Sequence, residues 1–512
     1  MHARALSGAV RGIDAYLVTV EADVASGLPS FSTVGLAQGA VKEGKDRVVA
    51  AIQNSGYLLP PKRITVNLAP ADIQKSGSAF DLPIAVGILA GTGQVAANGV
   101  MEHFALVGEL GLEGDLRPVR GALSIALAAR EAGLRGLILP RENVAEAAVV
   151  AGLDVCGAGS LREVLAFVAG SGELPAATTD LEALFRVSSR YDCDFADVRG
   201  QEQAKRALEV AAAGSHNILM VGPPGSGKTM LARRLPTILP PLTVEEAIET
   251  TRIHSVAGLL GPGESLLATR PFRSPHHTIS DAGLIGGGST PKPGEVSLAH
   301  HGILFMDELP EFRRNVLEVL RQPLEDAEVT LSRAAVSLTY PSRFMLAAAM
   351  NPCPCGFFGD PHRECACPPV AVERYLSRVS GPLLDRIDLH VEVPTVRYRE
   401  LSDRRHAEPS EAIRERVARA RELQRLRFDG RPGVYANAHM GAREVGELCR
   451  LGEGGDALLR TAVSRLGLTA RAYHRVLKIA RTIADLDAAA EIGTAHVSEG
   501  IQYRSLDRLT RR

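Results

Sequence analysis

A glycine-rich segment near the middle of the chain has the residue types and spacing that bind phosphate groups. Its sequence, GPPGSGKT, follows an apolar run, Ile218–Val221, and precedes a segment typical of a helix. Glycines let backbone N–H groups point inward at phosphate oxygens, a lysine adds positive charge, and a hydroxyl group holds Mg²⁺. The sequence therefore predicts a site for ATP and Mg²⁺ at these residues: Gly222, Pro223, Pro224, Gly225, Ser226, Gly227, Lys228 and Thr229.

Three further polar residues follow apolar runs in the same part of the chain. Asp307 and Glu308 come directly after Ile303–Met306, and we expect them at the carboxyl end of a parallel strand, where such sheets bind ligands. Asp307 would then support Mg²⁺, and Glu308 would polarise the attacking water. Asn351 ends the run RFMLAAAM, where a neutral amide can hydrogen-bond the water or the γ-phosphate without opposing its charge.

An arginine in the segment SGPLLDRIDLHVEV, Arg386, precedes another β-like run. An arginine placed on the transferred phosphate accelerates the reaction strongly and can come from a neighbouring subunit. The alternative is a structural ion pair with Asp385 or Asp388, which lie beside it in the sequence. The sequence leaves both readings open at this point.

Four of the seven cysteines form a C-x-C-x9-C-x-C pattern shortly after Asn351, at Cys353, Cys355, Cys365 and Cys367. Four thiolates suit tetrahedral Zn²⁺, and the pattern predicts a structural zinc site. The spacing departs from zinc sites whose paired cysteines are separated by about two to four residues. Free or redox-active thiols and an iron–sulfur cluster are the alternatives, and His362 is a substitute ligand.

The elements that must position these residues fall into successive regions of the 512-residue chain, which is long enough for several domains. Residues 1–170 mix short β-rich runs with Ala-rich helical segments, and residues 171–184 have the small polar composition of a linker. Residues 185–395 alternate β-like runs with helices, which is typical of an α/β layer with a largely parallel sheet. Residues 396–512 are helical and rich in arginine.

The charge balance excludes a uniformly basic nucleic-acid-binding surface, because 58 Lys and Arg residues face 59 Asp and Glu residues. A local basic region is present, since the chain from Thr395 onward has 23 basic and 16 acidic residues. No apolar run approaches the ~20 residues needed to cross a bilayer. We expect a cytoplasmic protein without membrane partners, where clustered cysteines favour metal binding over disulfides.

Several longer segments resemble one family. They include GQEQAKRALEVAAAGSHNILMVGPPGSGKT, FRSPHHTISDAGLIGGG, KPGEVSLAHHGILFMDELPEF, AAMNPCPCG and SGPLLDRIDLHVEVP. Together they resemble the magnesium-chelatase-like branch of the AAA+ ATPases and, within it, the YifB/ComM family. The resemblance implies Walker A roles for Lys228 and Thr229, Walker B roles for Asp307 and Glu308, and a sensor role for Asn351.

The same resemblance assigns roles to three arginines and implies an assembly. Arg386 becomes an arginine finger that acts on a neighbouring subunit, which requires a ring, and a homo-hexamer is implied. The segment LTARAYHRVLKIARTIADL becomes a helix of a C-terminal helical lid, with Arg471 as the sensor-2 arginine and Arg475 as a weaker alternative.

The N-terminal third resembles the Lon protease domain, an α+β fold of the ribosomal-S5 type, through APADIQKSGSAFDLPIAVGIL and FALVGELGLEGDLRPVRG. Lon chemistry requires a serine nucleophile activated by a lysine. Alignment of the segments puts Ala79 at the nucleophile position, one residue after Ser78, and Leu123 at the lysine position. Because no lysine occurs between Lys75 and Lys205, we expect no protease activity.

The function implied by the family resemblance is an ATP-driven hexameric DNA motor, a branch-migration helicase acting on single-stranded or branched DNA in recombination and natural transformation. Two segments are candidates for the DNA contact. One is the loop-rich stretch 268–301, which contains Arg270, Arg273 and Lys292, and the other is EDAEVTLSRAAVSLTYPSRF, which predicts a β-hairpin. The alternative function is a chelatase-type chaperone that remodels a protein partner.

Overall fold

In the computed structural model the chain forms two compact units, and neither is one continuous segment. The first comprises Met1–Ser188 and Val244–Ala268, and the second comprises Ser189–Thr243 and Thr269–Arg512. The structure describes residues 2–36, 40–73, 75, 77–181, 184–185, 191–261, 263–288, 291–333, 336–361, 363–396, 407–431 and 433–504.

The first unit is built on one large sheet. Its strands are β1 (His2–Arg11), β2 (Asp14–Ala25), β3 (Ser30–Val34), β4 (Arg63–Ala69), β5 (Phe104–Leu106), β6 (Glu109–Leu110), β7 (Leu116–Arg117), β8 (Gly136–Pro140), β9 (Asp154–Ala158) and β10 (Ala176–Ala177). Eight of them form a mixed sheet in the order β10-β9-β8-β5-β1-β2-β4-β3, and β6 and β7 form a separate pair. The long antiparallel pair of β1 and β2 turns at Gly12 and lies inside this sheet.

Helices in the first unit bury the apolar faces of these strands. They are α1 (Ala40–Asn54), α2 (Asp81–Gly91), α3 (Val100–His103), α4 (Ala122–Glu131), α5 (Val144–Ala147), α6 (Leu161–Val168) and, from the inserted segment, α9 (Val244–Ala257). Ten of the eleven residues of α2 are buried, as expected for a helix that is apolar on all sides. The unit therefore has a core of its own.

An ion pair inside this unit gives a prediction about pH. Asp81, at the start of α2, is 1% exposed and accepts two hydrogen bonds from Arg47, at 2.8 and 3.2 Å. Burial raises the pKa of Asp81 to about 6, although Arg47 opposes the rise. Because the folded-state pKa exceeds the unfolded value, the associated stability is present at low pH and is lost as the pH rises through 6.

We therefore expect wild-type protein to lose stability relative to an Asp81→Asn variant as the pH rises from 4 to 7, by at most about 3 kcal/mol. Urea unfolding of both proteins across this pH range measures the difference. A difference in unfolding free energy that stays constant with pH would show that folding does not raise the pKa of Asp81.

The segment Val244–Ala268 joins the first unit although it follows the phosphate-binding segment in sequence. Arg252 of α9 donates to the carbonyl oxygen of Ile13 at 3.1 Å and pairs with Asp14. The continuous division 185–395 predicted from the sequence differs from this arrangement, because the chain leaves the second unit after Thr243 and re-enters it at Thr269.

The second unit contains a parallel sheet. Its strands are β11 (Ile218–Val221), β12 (Phe272–Arg273), β13 (Gly286–Gly287), β14 (Lys292–Pro293), β15 (Ile303–Met306), β16 (Glu328–Arg333), β17 (Val336–Pro341), β18 (Met345–Met350) and β19 (Leu389–Glu392). The order of the main sheet is β12-β15-β18-β11-β19, and every neighbouring pair is parallel. The expected parallel sheet is confirmed, and so is the hairpin, which β16 and β17 form in antiparallel register.

Helices flank this sheet and form the C-terminal helical region. They are α7 (Glu202–Gly214), α8 (Lys228–Ile238), α10 (Asp281–Ile285), α11 (Glu295–Leu298), α12 (Arg314–Val319), α13 (Arg321–Asp326), α14 (Pro369–Leu376), α15 (Gly381–Leu384), α16 (Ser410–Arg427), α17 (Ala442–Leu448), α18 (Glu453–Leu466), α19 (Ala470–Leu486) and α20 (Thr494–Gln502). Apolar residues of α16 and α19 share a core with α7 and the sheet, so the helical region packs directly on the α/β layer. Among the described residues no helix is both long and apolar enough to span a membrane.

Candidate functional site

The glycine-rich segment forms a loop between β11 and α8, as its flanking sequence predicts. Gly225 and Gly227 have φ values of +76° and +87°, which only glycine adopts without strain. The loop follows β11, which lies between β18 and β19 in the sheet. The N-terminus of α8 therefore lies beside the loop, where its unpaired N–H groups favour an anion.

Lys228 is buried at the start of α8, and its ammonium group lies inside this loop. Its Nζ donates to the carbonyl oxygens of Gly222 and Pro223, at 2.7 and 2.9 Å, and to Asn351 Oδ1 at 3.2 Å. Burial lowers the pKa of Lys228, and the nearby carboxylates of Asp307 and Glu308 oppose that change. The structure thus brings the lysine and the predicted sensor residue into contact.

The acidic pair lies at the carboxyl end of β15, on the same edge of the sheet. Asp307 Oδ2 accepts a hydrogen bond from Thr229 Oγ1 at 2.6 Å, so the two predicted Mg²⁺ ligands are adjacent. Glu308 adopts a left-handed backbone conformation, φ +53°, and its side chain is 59% exposed. Its Oε2 lies 3.6 Å from Nδ1 of His277, a residue of the loop-rich stretch. No sequence pattern predicts this contact between the histidine and Glu308.

Arg386 lies at the opposite edge of the sheet from the glycine-rich loop. Its backbone carbonyl accepts from the Asn217 side chain at 3.0 Å, and Asn217 directly precedes β11, whereas the loop follows that strand. The five residue steps from Asn217 to Gly222 span roughly 16 Å of extended chain. Arg386 is therefore remote from Lys228 of its own chain.

The structural ion pair expected as the alternative for Arg386 has a different partner. Its guanidinium pairs with Glu325 of α13 and donates to the carbonyl oxygen of Pro382 at 2.6 Å. Asp388 instead binds His216, at 3.3 Å, and Arg475, at 3.2 Å. The alternative of a pair with Asp385 or Asp388 is thus wrong in its partner: among the described residues the carboxylate that pairs with Arg386 is Glu325, and Asp388 faces Arg475 of the helical region.

The two lid arginines differ in their surroundings. Arg471 is exposed in the first turn of α19, whereas Arg475, one turn further, is bound to Asp388 at the amino edge of the sheet. Burial alone would raise the pKa of Asp388, but the hydrogen bond from His216 and the charge of Arg475 outweigh it and hold this pKa below its usual value. The structure therefore places this end of α19 away from Lys228 of the same chain.

A cavity of about 770 Å³ adjoins the glycine-rich loop. Gln201, in a left-handed conformation, lines it and donates to the carbonyl oxygens of Ser226 and Pro394, which ties the loop to the segment after β19. Val221 and Phe358 also line the cavity. Its size and position suit the base and sugar of a nucleotide whose phosphates occupy the loop. The prediction from sequence did not include Gln201, although the pair Gly200-Gln201 directly before α7 could have indicated it.

The four cysteines converge as the sequence predicts. Sγ of Cys353 lies 3.3 Å from that of Cys355 and 3.7 Å from that of Cys365, and all four sulfur atoms lie within 4.8 Å of one another. Four sulfurs around a zinc, each about 2.3 Å from it, are separated by roughly 3.8 Å. The donor set therefore fits tetrahedral Zn²⁺, and it needs no histidine; His362 lies outside the described residues.

Backbone groups support charge on these sulfurs. Cys353 Sγ accepts from the N–H of Phe358 at 3.3 Å, and Cys367 Sγ accepts from the N–H of Cys355 at 3.4 Å. Hydrogen bonds from the Phe357 backbone and from Cys353 lower the pKa of Cys355 to about 6. A lowered thiol pKa favours the thiolate form that binds metal. Backbone hydrogen bonds also lower the pKa values of Cys365 and Cys367, but burial and the neighbouring sulfurs outweigh them. They raise the pKa of Cys365 to about 12 and also raise that of Cys367, as expected for thiols that crowd together without a cation to share their charge.

The N-terminal unit does not assemble a serine–lysine pair at the positions expected from the Lon resemblance. Ala79 and the buried Leu123 stand there, and the hydroxyl of Ser78 donates to Glu109. Lys75 is buried, and among the described residues its ammonium group has no hydrogen-bond partner. The absence of protease activity stays a prediction.

Comparison with known proteins agrees with this architecture. Residues 194–401 match the family model for magnesium chelatase subunit ChlI, residues 20–143 match a second ChlI model, and residues 407–504 match the model for its C-terminal part. The N-terminal region is 32% identical to Lon protease 2 of Bacillus subtilis over 157 residues. This alignment covers 28% of this chain and 27% of that protein.

Two relatives match over almost the full length. Competence protein ComM of Haemophilus influenzae is 44% identical over 510 residues, which cover 98% of this chain and 97% of ComM. YifB of Escherichia coli is 45% identical over 504 residues, which cover 98% of this chain and 96% of YifB.

The fold, the glycine-rich loop and these matches define an AAA+ ATPase of the magnesium-chelatase type, with a C-terminal helical region and a Lon-like N-terminal region. Within that class, the chain belongs to the YifB/ComM family.

Proposed function

We propose that this protein is an ATP-driven motor that moves along single-stranded or branched DNA as a homo-hexamer. In this proposal it promotes branch migration during recombination and natural transformation. The single observation that supports the assembly most directly is the position of Arg386 at the edge of the sheet opposite Lys228. An arginine needed on the phosphates must then come from an adjacent subunit.

The proposed reaction divides the work among residues on one edge of the sheet. Lys228 and the loop N–H groups bind the phosphates of ATP, and Thr229 and Asp307 hold Mg²⁺. When bound, Mg²⁺ neutralises charge on the phosphate oxygens. Glu308 orients and polarises the attacking water, and Asn351 binds the γ-phosphate or that water. Release of Arg386 from Glu325 frees its guanidinium for the ATP site of the neighbouring subunit. Arg471 also acts on that neighbouring site.

The proposal places DNA against the loop-rich stretch and the hairpin. On the exposed face of the hairpin, hydroxyl groups pair across the strands, Thr330 with Thr339 and Ser332 with Ser337, each at 3.1 Å. Hydroxyl groups are common donors to the DNA backbone and carry no charge that repels phosphate. Lys292 is exposed and adds a positive charge beside the hairpin, because the carbonyl oxygen of the preceding Pro291 accepts from the hydroxyl of Tyr340 of β17 at 2.9 Å.

Two arginines that the sequence suggested for DNA contact are engaged within the protein. Arg270 donates to the carbonyl oxygens of Pro240 and His301, each at 2.7 Å, and Arg273 forms two hydrogen bonds with Glu295. We therefore assign them to holding the loop-rich stretch in place. His277 of the same stretch contacts Glu308, which offers a physical route from DNA binding to hydrolysis.

The experiment is ATP turnover measured with no DNA, with single-stranded DNA and with a four-way junction. We expect strong stimulation by DNA, and we expect a Lys292→Glu variant to lower it because it reverses a charge facing phosphate. The name of the ComM relative, a competence protein, supports this choice of substrate. An ATP turnover rate that none of these DNA substrates changes would reject the motor and favour the chaperone that remodels a protein partner.

A further inference from the structure

We infer that the cysteine-rich loop, defined as residues 353–367, forms part of the ATP-binding site and that a zinc ion bound by its four thiolates sustains the affinity for ATP. The inference rests on the proposed ATPase function, since it concerns the same site. It assigns to the metal a role in nucleotide binding in addition to holding the loop together.

The loop packs directly on the phosphate-binding segment. A Cβ atom placed on Gly356 would lie 2.4 Å from Cδ and 2.7 Å from Cγ of Pro224, so the Gly356 backbone touches the ring of this proline. Gly356 also has a φ value of +87°, which a side chain would strain. Any movement of the loop at this point must therefore move Pro224 or open a gap beside it.

The same loop forms one wall of the cavity next to the phosphate-binding segment. Gly356, Phe358 and Pro361 line the cavity from the loop, and Gln201 lines it from another part of the unit. Phe358 is 45% exposed, so its ring is accessible to a ligand in the cavity. An aromatic ring in such a wall offers a face for stacking on a purine base.

The sulfur cluster fixes this wall through its backbone. Cys353 is fully buried, its Sγ binds the N–H of Phe358, and its carbonyl oxygen accepts from the N–H of Gly356 at 3.0 Å. Gly356 and Phe358, which line the cavity, are thus both hydrogen-bonded to Cys353, the first of the four zinc ligands. Cys365 and Cys367 come from the far end of the loop and meet the near end through sulfur contacts and one N–H···S hydrogen bond, from Cys355 to Cys367. A metal shared by the four sulfurs adds strong bonds to these weak contacts and ties both ends into one rigid body.

Loss of the metal removes this constraint. Four sulfurs at these separations repel one another when charged, and protonated thiols form only weak hydrogen bonds. A wall that must first be ordered binds its ligand less tightly than one already in place. The affinity for ATP therefore falls when the metal leaves, although Lys228 and Thr229 are unchanged.

The first arm of the test changes the contact with Pro224 and leaves the four zinc ligands intact. ATP affinity is measured by titration of the full-length chain with a fluorescent, ribose-labelled ATP analogue in the presence of Mg²⁺ and without DNA. For Gly356→Ala we expect a rise in Kd of about tenfold, equivalent to ~1.4 kcal/mol, with one zinc per chain retained. The control is Gly430→Ala, which also has a positive φ (+72°) but whose new Cβ meets nothing within 4 Å. Equal Kd values for Gly356→Ala and wild type, or equal losses in both variants, would overturn the assigned contact.

The second arm concerns the metal itself. Zinc content is measured by elemental analysis of wild-type protein and of a Cys365→Ser/Cys367→Ser variant, and circular dichroism establishes that both are folded. We expect the variant to lose zinc and to show a Kd raised by a similar factor, and wild type stripped by a chelator to recover its affinity when zinc is added back. Unchanged Kd after loss of zinc, or a wild-type chain that takes up no zinc, would overturn the inference.

These results are independent of the DNA part of the proposed function. Since the titrations contain no DNA, turnover that ignores DNA would reject the motor and leave the role of the loop standing. A wild-type chain that binds no ATP would reject both.

Discussion

Replacing Glu308 by glutamine is expected to lower ATP turnover at least 100-fold, a factor typical of losing a positioned general base or water-polarising group. The physical reason is the place of this carboxylate. Glu308 follows the strand that delivers Asp307, on the same sheet edge as Lys228, and its side chain is exposed there. The amide keeps the size and loses the charge that polarises water.

Steady-state turnover and ATP binding, measured on the same preparations, test this expectation. The variant should bind ATP as tightly as wild type, because Lys228 and Thr229 are intact. Glu311→Gln is the matched control, since Glu311 lies three residues further along the chain and pairs with Arg378 at 2.9 Å. This control variant should hydrolyse ATP at the wild-type rate. Turnover by Glu308→Gln within a few-fold of wild type would remove Glu308 from the reaction.

Replacing Arg386 by alanine is expected to lower turnover about 1000-fold, the lower end of the range for arginine fingers. Because Arg386 lies at the amino edge of its own sheet, the loss should arise in the neighbouring subunit's site. ATP affinity should change little, since the residues that bind nucleotide are those around Lys228. Arg425→Ala, which removes an exposed ion pair with Glu422, is the control and should have no effect.

Mixing two inactive variants distinguishes action within a subunit from action between subunits. Arg386→Ala supplies an intact Glu308, and Glu308→Gln supplies an intact Arg386, so hybrid rings contain some complete sites. We expect mixtures to turn over ATP faster than either variant alone. Light scattering would establish that both variants assemble to the size of the wild type. Mixtures that assemble but stay inactive would contradict an arginine acting in trans.

Local chemistry in the sequence was sufficient to locate the phosphate-binding segment. Its glycines adopt the positive φ values that the pattern requires, and the apolar run before it is the buried strand β11. The run before Asp307 is likewise a fully buried strand. Such short elements are predictable because continuous burial in a parallel sheet demands uninterrupted apolar residues.

The family resemblance added what residue types alone did not contain. It identified the Lon-like N-terminal region and the helical C-terminal region, and the matches to known proteins confirm both. The roles of Asn351, Arg386 and Arg471 stay predictions. Their positions in the structure divide them, because Asn351 contacts Lys228 whereas Arg386 and Arg471 do not.

The helix α9 shows what the sequence did not determine. Its apolar and small residues favour burial in general, but they do not specify which core they join, and the chain places it in the first unit. The ion-pair partner of Arg386 was likewise not determined by the sequence. Asp385 and Asp388 are its neighbours in sequence, yet Glu325, 61 residues away, lies beside its guanidinium.

Residue types and their spacing were enough to predict the phosphate loop, the acidic pair, the cysteine cluster and the class of fold. Each depends on residue type and short spacing, which local backbone geometry translates directly into structure. The contacts among these groups could not be predicted in this way and follow from the packing of the folded chain. Gly356 lies against Pro224, more than a hundred residues away, and Arg475 binds Asp388, because packing of whole helices and strands brings together residues that no local pattern connects.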